Sequence, residues 1–246
     1  RGPDPAAPQP SPPAASSVQS AAQDQRLTAF LDEIFERNVR QRPEFQAALG
    51  RKTEDYGRWD DHSEAWAAAR NVQVQEDLRT LRERFDPATL GPEARISYRV
   101  FEYDLESELR AFPWRHHQYA VSQMDNIASR VPAFLQNLHT VEGRQDAVDY
   151  IRRLEGVETV MAQYVERLRL GEAAGVIPPM MVYPRALPAA RNMLQGAPFE
   201  ASAGDSILLA DFRAKVQALD LTRDDERQLL DDAIAAYWRV VAKWGV

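Results

Sequence analysis

The sequence predicts an all-α fold, a multi-helix array or bundle with antiparallel helical hairpins and no sheet. Through most of the chain, apolar residues recur at three- and four-residue steps, the spacing that places side chains on one face of a helix. No segment shows the four- to eight-residue alternation of β-branched residues that is typical of a strand. With 246 residues, 44% of them hydrophobic, the chain is long enough to bury a sizeable core.

The N-terminal residues differ in composition from the rest of the chain. They are rich in proline, alanine and serine, and Val18 is their only large apolar side chain. Because such a segment cannot pack, we expect a disordered linker over residues 1–22 and a helical domain over residues 23–246. The chain begins at Arg1, and a linker of this kind is common after the cleaved secretory signal of exported bacterial proteins. The sequence therefore favours a periplasmic or secreted protein, with a cytoplasmic protein as the alternative.

Two helices are predicted on either side of an irregular segment. Asp24 is expected to cap the first helix, which ends before Pro43, and Ser63 to cap the second, which runs to about Arg84. Between them, residues 44–61 form a long loop with aromatic side chains, and we expect it to pack over another part of the protein. The apolar stripe of the first helix consists of Leu27, Phe30, Leu31, Ile34, Phe35 and Val39.

The next predicted helix opens at Gly91 and Pro92 and is apolar on two sides, which predicts a central position in the fold. Its Glu102 and Glu106 are one turn apart and repel each other unless a cation balances them. Neighbouring arginines favour ion pairs, and a carboxylate-bridged metal site on Glu102 and Glu106 is the alternative. One stripe consists of Ile96, Val100 and Tyr103, the other of Tyr98, Phe101, Leu105 and Phe112, and the arginines are Arg99 and Arg110.

Residues 146–179 are predicted to form a helical hairpin. Two amphipathic helices meet at Glu155 and Gly156, and the second ends where Gly171 and Gly175 adopt the positive φ that terminates helices. Pro179 then begins the next helix. The apolar face of the second helix consists of Val157, Val160, Met161, Tyr164 and Leu168.

Four further helices are predicted from proline, glycine and apolar periodicity. They cover residues 131–138, 178–194, 207–219 and 222–244. Proline inside the second of them predicts a kink or break, and Thr222 forms an approximate capping box at the start of the last. The inward-facing residues of the last helix are predicted to be Leu230, Ile234, Tyr237, Trp238, Val241 and Trp244. A terminal helix this rich in aromatic residues often docks against more protein.

Composition and motifs exclude several classes of function. The net charge of −7 and pI near 5.2 argue against a nucleic-acid surface, and the absence of cysteine excludes disulfides and thiolate chemistry. No apolar run approaches the roughly 20 residues that a membrane span needs. The phosphate loop, the dinucleotide fingerprint, the G-x-S-x-G elbow and H-E-x-x-H are all missing, so no catalytic residue, metal ligand or cofactor site is assigned.

The segment PWRHHQYAVSQMDN, which begins at Pro113, is the richest in side chains that could bind a substrate. Adjacent His116 and His117 point apart in regular structure and make a poor metal pair. The composition favours an ordinary surface loop, and a loop that lines a substrate cleft is the alternative with functional consequences. The candidate cleft residues are Arg115, His116, His117, Tyr119, Gln123 and Asn126.

Four segments, taken in order, resemble one protein family. They are LDEIFERNVRQRPEFQAALG, LGPEARISYRVFEYDLESEL, VPAFLQNLHTVEGRQDAVDYIRRLEGVETVMAQYVERLRLGEAAGVIPPMMV and DDERQLLDDAIAAYWRVV. They resemble the N-terminal portion of the bacterial domain-of-unknown-function family eight-eight-five, large helical proteins that are zinc-metallopeptidase-like and often exported. In that family the H-E-x-x-H helix lies in the half that is absent from this sequence.

The resemblance implies a helical scaffold that walls one side of a peptide-binding cleft and is inactive alone. Zinc is then expected only in the missing C-terminal half, that half is the expected partner, and the intact parent acts on peptides. The alternative is a stand-alone helical interaction module. Its partner protein docks on the helix over residues 222–244 or on the loop over residues 44–61.

Overall fold

The computed structural model describes residues 14–122, 126–200 and 204–243. It is 73% helical, and the described residues form nine α-helices and no sheet, which confirms the predicted all-α class. Within these ranges no helix is long and apolar enough to cross a membrane. The helices are α1 (Ala14–Arg40), α2 (Pro43–Ala48), α3 (Glu64–Arg84), α4 (Pro92–Ala111), α5 (Ile127–Asn137), α6 (Arg144–Ala173), α7 (Tyr183–Asn192), α8 (Ile207–Gln217) and α9 (Arg223–Lys243), with 3-10 turns at Pro87–Thr89, Phe112–Trp114 and Met180–Val182.

The chain divides into two compact units. The first unit comprises the described residues up to Arg37 together with residues 69–112. The second unit comprises residues 38–68 and the described residues from Pro113 onward. The core of the first unit consists of Leu27, Phe30, Ile34, Val74, Leu78, Leu81, Phe85, Leu90, Tyr98 and Leu105.

Helix α1 begins earlier than the sequence predicts. It starts at Ala14, so residues 14–22 are helical where a linker is predicted, because alanine is the strongest helix former and extends the amphipathic helix toward its N-terminus. Asp24 lies inside the helix rather than capping it, and its Oδ1 accepts a hydrogen bond from the Gly91 amide at 2.9 Å. Residues 1–13 lie outside the described residues. The single helical domain over residues 23–246 stays a prediction.

Helix α4 is buried on one side only, so the prediction of a central helix is wrong. Tyr98 and Leu105 belong to the core of the first unit, whereas Ile96, Val100 and Tyr103 are between 55% and 64% exposed. The prediction that Glu102 and Glu106 form ion pairs is confirmed, and Arg82 joins the predicted Arg110 as a partner. Arg82 of α3 donates to Glu102 at 2.7 Å and also to Glu106, and Arg110 lies 3.2 Å from Glu106.

Helix α6 is one continuous helix of 30 residues, and the predicted hairpin at Glu155 and Gly156 is wrong. Glycine lowers helix stability by about 1 kcal/mol but does not by itself end a helix. Here Gly156 gives the Trp59 ring room to lie against α6, since a Cβ on Gly156 would meet Trp59 Cδ1 at 2.8 Å. Helices α5, α8 and α9 pack on α6. The buried side chains of this core include Val131, Leu135, Tyr150, Leu154, Val160, Leu208, Phe212 and Leu229.

The C-terminal end of α6 agrees with the sequence at one glycine and not at the other. Gly175 has a φ of 77°, and the Val176 amide donates to Gly171 O at 2.8 Å, the pattern of a Schellman cap. Gly171 itself is helical and buried, so its predicted positive φ is wrong. Pro179 precedes a 3-10 turn rather than beginning an α-helix, and α7 starts at Tyr183 with Pro184 in its first turn. The chain is therefore interrupted ahead of Pro184 as predicted, whereas α7 continues through Pro188.

Two helices differ from their predicted extents or faces. Helix α5 begins at Ile127, ahead of Pro132, because Asn126 Oδ1 accepts the Ala128 amide at 3.0 Å and caps it. On α9, the predicted inward position of Tyr237 is confirmed, and Leu230 and Ile234 are partly buried against the core. The most deeply buried positions include Ala233 and Ala236, which are not among the predicted ones, since α9 lies directly against α6 and alanine permits the close approach. The buried residues of α9 are Leu229, Ala233, Ala236 and Tyr237, whereas Trp238 is 47% exposed and Trp244 lies outside the described residues.

Candidate functional site

The six predicted cleft residues do not converge in the part of the chain that the structure describes. Arg115 Nε donates to Glu64 Oε2 at 2.9 Å, and His116 Nε2 lies 3.3 Å from the same oxygen. His117 and Tyr119 are exposed. Asn126 is buried as the cap of α5, and its Nδ2 donates to Ala186 O at 3.0 Å. Gln123 lies outside the described residues, and the role of this segment in substrate binding stays a prediction.

A polar cavity in the second unit brings together residues that the sequence analysis did not single out. This cavity, the Glu44 pocket, has a volume of about 550 Å³, within the range of small-molecule sites. It lies between the start of α2, the segment before α3, and α5. Its polar lining consists of Arg42, Glu44, Asp60, His62, Arg130 and Asn137. Its apolar lining includes Phe45, Trp59, Ile127, Val131, Phe134 and Leu138.

Reciprocal hydrogen bonds join Glu44 to Asp60 and close the loop that carries the pocket. The Glu44 amide donates to Asp60 Oδ1 at 2.8 Å, and the Asp60 amide donates to Glu44 Oε1 at 3.2 Å. The first of these satisfies an amide in the first turn of α2 that has no partner within the helix. Arg42 Nε donates to Asp60 Oδ2 at 3.3 Å. Burial raises the pKa of the Asp60 carboxyl from its ordinary value, although the Glu44 amide and Arg42 act in the opposite direction.

Glu44 also faces two potential cations. His62 Nε2 lies 3.6 Å from Glu44 Oε1, too far for a hydrogen bond, and this nitrogen is buried without a partner among the described residues. Arg130 Nη2 lies 3.8 Å from Glu44 Oε2, while Arg130 Nη1 donates to Tyr164 Oη at 2.7 Å. Burial alone raises the pKa of Glu44, but His62, the Asp60 amide and Arg130 lower it below its ordinary value. Glu44 is therefore held as a carboxylate.

A fully buried arginine lies behind the aromatic wall of the pocket. Arg153 donates through Nε to Tyr56 O at 2.6 Å, and its guanidinium lies 4.4 Å from the centre of the Phe134 ring and 5.3 Å from that of Trp59. Burial lowers the pKa of Arg153 to about 10, while Glu44 and other acidic groups oppose this shift. The pocket carboxylates therefore also balance a charge inside the core.

A second cavity of the same unit is almost entirely apolar. It has a volume of about 520 Å³ and lies among α5, α6, α7 and α9. Met161, Leu168, Met193 and Val241 contribute to its lining, and among the described residues of the predicted cleft Asn126 reaches it. The described side chains that line this cavity are uncharged.

Comparison with known proteins assigns the chain to a family. Residues 43–243 match the family described as "Bacterial protein of unknown function (DUF885)". The chain belongs to the DUF885 family. A solved structure from Colwellia psychrerythraea, described as a candidate lipoprotein, matches this DUF885 chain with a TM-score of 0.68 and 17% sequence identity. The match covers 90% of this chain and 39% of that one, so the chain spans about two fifths of the length of the structure that it matches. None of the curated proteins matches it.

The described part of this DUF885 chain offers no metal site. It contains no group of three or more histidine, aspartate or glutamate side chains that could hold an ion. In the Glu44 pocket the two carboxylates are bonded to arginine and backbone amides, and Glu102 and Glu106 are paired with Arg82. These residues do not fit a zinc ion.

Proposed function

We propose that this chain is the N-terminal helical region of an exported zinc-metallopeptidase-like protein, in which it walls one side of a peptide-binding cleft. One observation carries the proposal: the same helical array makes up only 39% of the matching solved chain. Because this fold recurs as a minor part of a larger protein, we expect it to contribute to the functional site of that larger protein. Membership in the DUF885 family supports this expectation.

The chain is expected to be inactive alone. Its described residues offer no group that fits zinc, so the metal and its H-E-x-x-H helix are expected in the remainder of the longer protein. In this arrangement the present chain binds and orients the peptide and excludes water. The segment over residues 115–126 and the Glu44 pocket both belong to the second unit and are the candidate contacts.

Peptide hydrolysis by the 246-residue chain and by the longer protein tests the proposal. We expect turnover from the longer protein only, with loss on chelation and recovery with zinc. Hydrolysis by the short chain that a chelator abolishes and zinc restores would contradict it. The coding sequence after Val246 supplies an independent check, since an open frame that contains H-E-x-x-H is expected there.

Export is the second part of the proposal. The Colwellia structure is described as a candidate lipoprotein, and a proline-rich segment precedes the helices of this chain. We expect the native protein in the periplasmic or secreted fraction of the producing cells. Recovery with the cytoplasmic fraction would favour the alternative location.

A stand-alone interaction module is the second candidate function, and Trp238 favours it. This indole is 47% exposed on α9 and packs edge-on against Phe199, with 5.5 Å between ring centres. Exposed tryptophan is common at the centre of protein interfaces. If the chain is an interaction module, a Trp238→Ser variant should have the same melting temperature as the unmodified chain. Immobilised on a column, the variant should fail to bind a partner protein that the unmodified chain binds.

A further inference from the structure

We propose that the Glu44 pocket binds a small organic carboxylate, with the carboxylate on Arg42 and Arg130 and an apolar group against Trp59 and Phe134. The inference does not depend on the proposed peptidase role. It rests on the unused donors of two arginines, on the aromatic side chains that line the same cavity, and on the arrangement of charge around it.

Both arginines retain N–H donors that the described residues do not use. Arg42 makes one hydrogen bond, from Nε to Asp60 at 3.3 Å, and its guanidinium lies over the Phe45 ring. Arg130 bonds through Nη1 to Tyr164, and its Nη2 is too far from Glu44 to bond. Guanidinium groups with free parallel donors suit the two oxygens of a carboxylate.

The aromatic part of the pocket lining is held in place by its neighbours. Trp59 is held by the bond from its Nε1 to Arg153 O at 2.7 Å, and the Phe134 ring packs against both Trp59 and the Arg153 guanidinium. An aromatic or branched aliphatic group of the ligand can pack on these two rings. The volume of about 550 Å³ accommodates a ligand of amino-acid size and not a folded partner.

The carboxylates of the pocket do not prevent anion binding, because they are recessed. The side chains of Glu44 and Asp60 are 16% and 10% exposed, whereas those of Arg42 and Arg130 are 51% and 44% exposed. The charged side chains that line the pocket are Arg42 and Arg130, which are exposed, and Glu44 and Asp60, which are recessed. A monoanion on the two exposed arginines meets weak repulsion from the recessed carboxylates, whereas a dianion such as a phosphate monoester meets additional repulsion from Glu44 and Asp60. The arrangement of charge therefore favours a carboxylate.

Calorimetric titration of the 246-residue chain tests the site with N-acetyl-L-phenylalanine as the probe and its uncharged primary amide as the matched ligand. We expect the carboxylate to bind at least about tenfold more tightly than the amide, and added salt to weaken only the carboxylate. Phenyl phosphate should bind more weakly than the carboxylate. Equal binding of acid and amide, tighter binding of the phosphate, or no heat from the carboxylate at millimolar concentration each overturns the proposal.

Variants locate the site. Arg42→Gln and Arg130→Gln should each weaken carboxylate binding at least about tenfold and leave the amide unchanged. Arg58→Gln is the control, because Arg58 lies in the same segment, pairs among the described residues with neighbouring Asp55 and is not part of the pocket lining. Arg130→Gln also removes the hydrogen bond to Tyr164. Arg130→Lys keeps a positive charge at that position, so it should lose less carboxylate affinity than Arg130→Gln if the fold is intact. If Arg58→Gln weakens carboxylate binding as much as the Arg42 and Arg130 variants do, the assignment of the binding site to the Glu44 pocket is overturned.

Discussion

The indole of Trp59 lies directly on the backbone of Gly156 and donates from Nε1 to the carbonyl oxygen of Arg153, one turn earlier in α6. This contact joins the segment before α3 to the middle of the longest helix of the second unit. It explains why a glycine stands in the interior of α6, and it reverses the usual effect of replacing such a glycine.

Gly156→Ala should destabilise the protein. In a helix interior this change normally stabilises by about 1 kcal/mol, but here the new methyl group would lie 2.8 Å from Trp59. We expect a net loss of about 1–3 kcal/mol in the free energy of unfolding, measured by urea denaturation. In a Trp59→Leu background the same substitution should become neutral or stabilising. If Gly156→Ala stabilises the protein with Trp59 in place, the contact is absent.

Arg153→Met should destabilise the second unit strongly. The substitution fills similar space but removes the bond to Tyr56 O and leaves Glu44 and Asp60 without the buried positive charge. Removing one partner of a buried charge arrangement typically costs about 3–5 kcal/mol. Arg58→Met is the matched control, since its side chain is 73% exposed and its ion pair among the described residues is with partly exposed Asp55. The control should stay within about 1 kcal/mol of the parent, and a comparable loss in both would refute a special role for Arg153.

Lowering the pH should destabilise the protein, because His139 binds a proton more readily in the unfolded chain than in the folded one. This residue is buried, its Nε2 lies 3.0 Å from Asp146 O, and its ring stacks on Tyr56. Burial lowers its pKa to about 4, so between pH 6.5 and 4 the unfolded chain binds a proton that the folded chain does not. The stabilising contribution of neutral His139 is therefore present above pH 6.5 and is lost as the pH falls toward 4, by up to about 3 kcal/mol.

Unfolding measured at pH 7 and pH 4.5 for the parent and for His139→Gln checks this prediction. Glutamine can still donate to Asp146 O but does not titrate. The His139→Gln variant should therefore lose less stability than the parent over this pH range. Because other groups titrate in both proteins, the difference between the two profiles is the relevant quantity. Parallel profiles would show that His139 is already charged or accessible in the folded protein.

Arg82→Gln should have a small effect that depends on salt. Arg82 bridges Glu102 and Glu106, and without it the two carboxylates repel across one helical turn. Because all three side chains are partly exposed, we expect a loss of about 0.5–1 kcal/mol at low ionic strength and less at 1 M salt. Elemental analysis of the parent completes this test, since stoichiometric metal would favour the carboxylate-bridged alternative.

Local signals predict much of the fold. Ser63 caps α3 through its bond from the Trp66 amide at 3.1 Å, and Thr222 caps α9 through its bond from Asp225 at the same distance. A cap needs only its immediate neighbours, so the sequence contains the whole signal. The glycine at position 156 is different, because it makes room for Trp59, a residue far away in the chain.

The Glu44 pocket could not be predicted for the same reason. Glu44 and Asp60 lie on one segment, Arg130 on α5 and Arg153 on α6, and no spacing in the sequence relates them. The aromatic loop over residues 44–61 was the nearest available signal. Its predicted packing is confirmed by Tyr56, which is 3% exposed. The prediction for residues 115–126 depends on composition alone, and composition does not report whether side chains converge.

The discontinuity of the second unit has a consequence for synthesis on the ribosome. Trp59 bonds to a carbonyl 94 positions later in the chain, and Tyr56 bonds to Thr140, 84 positions later. At about 5–20 residues per second, the aromatic side chains of residues 44–61 wait about 5–20 s for the helix that covers them. During this interval the nascent chain exposes apolar surface while the residues of the first unit are being added. A chaperone that recognises aromatic segments would therefore act between the emergence of residue 61 and that of α6.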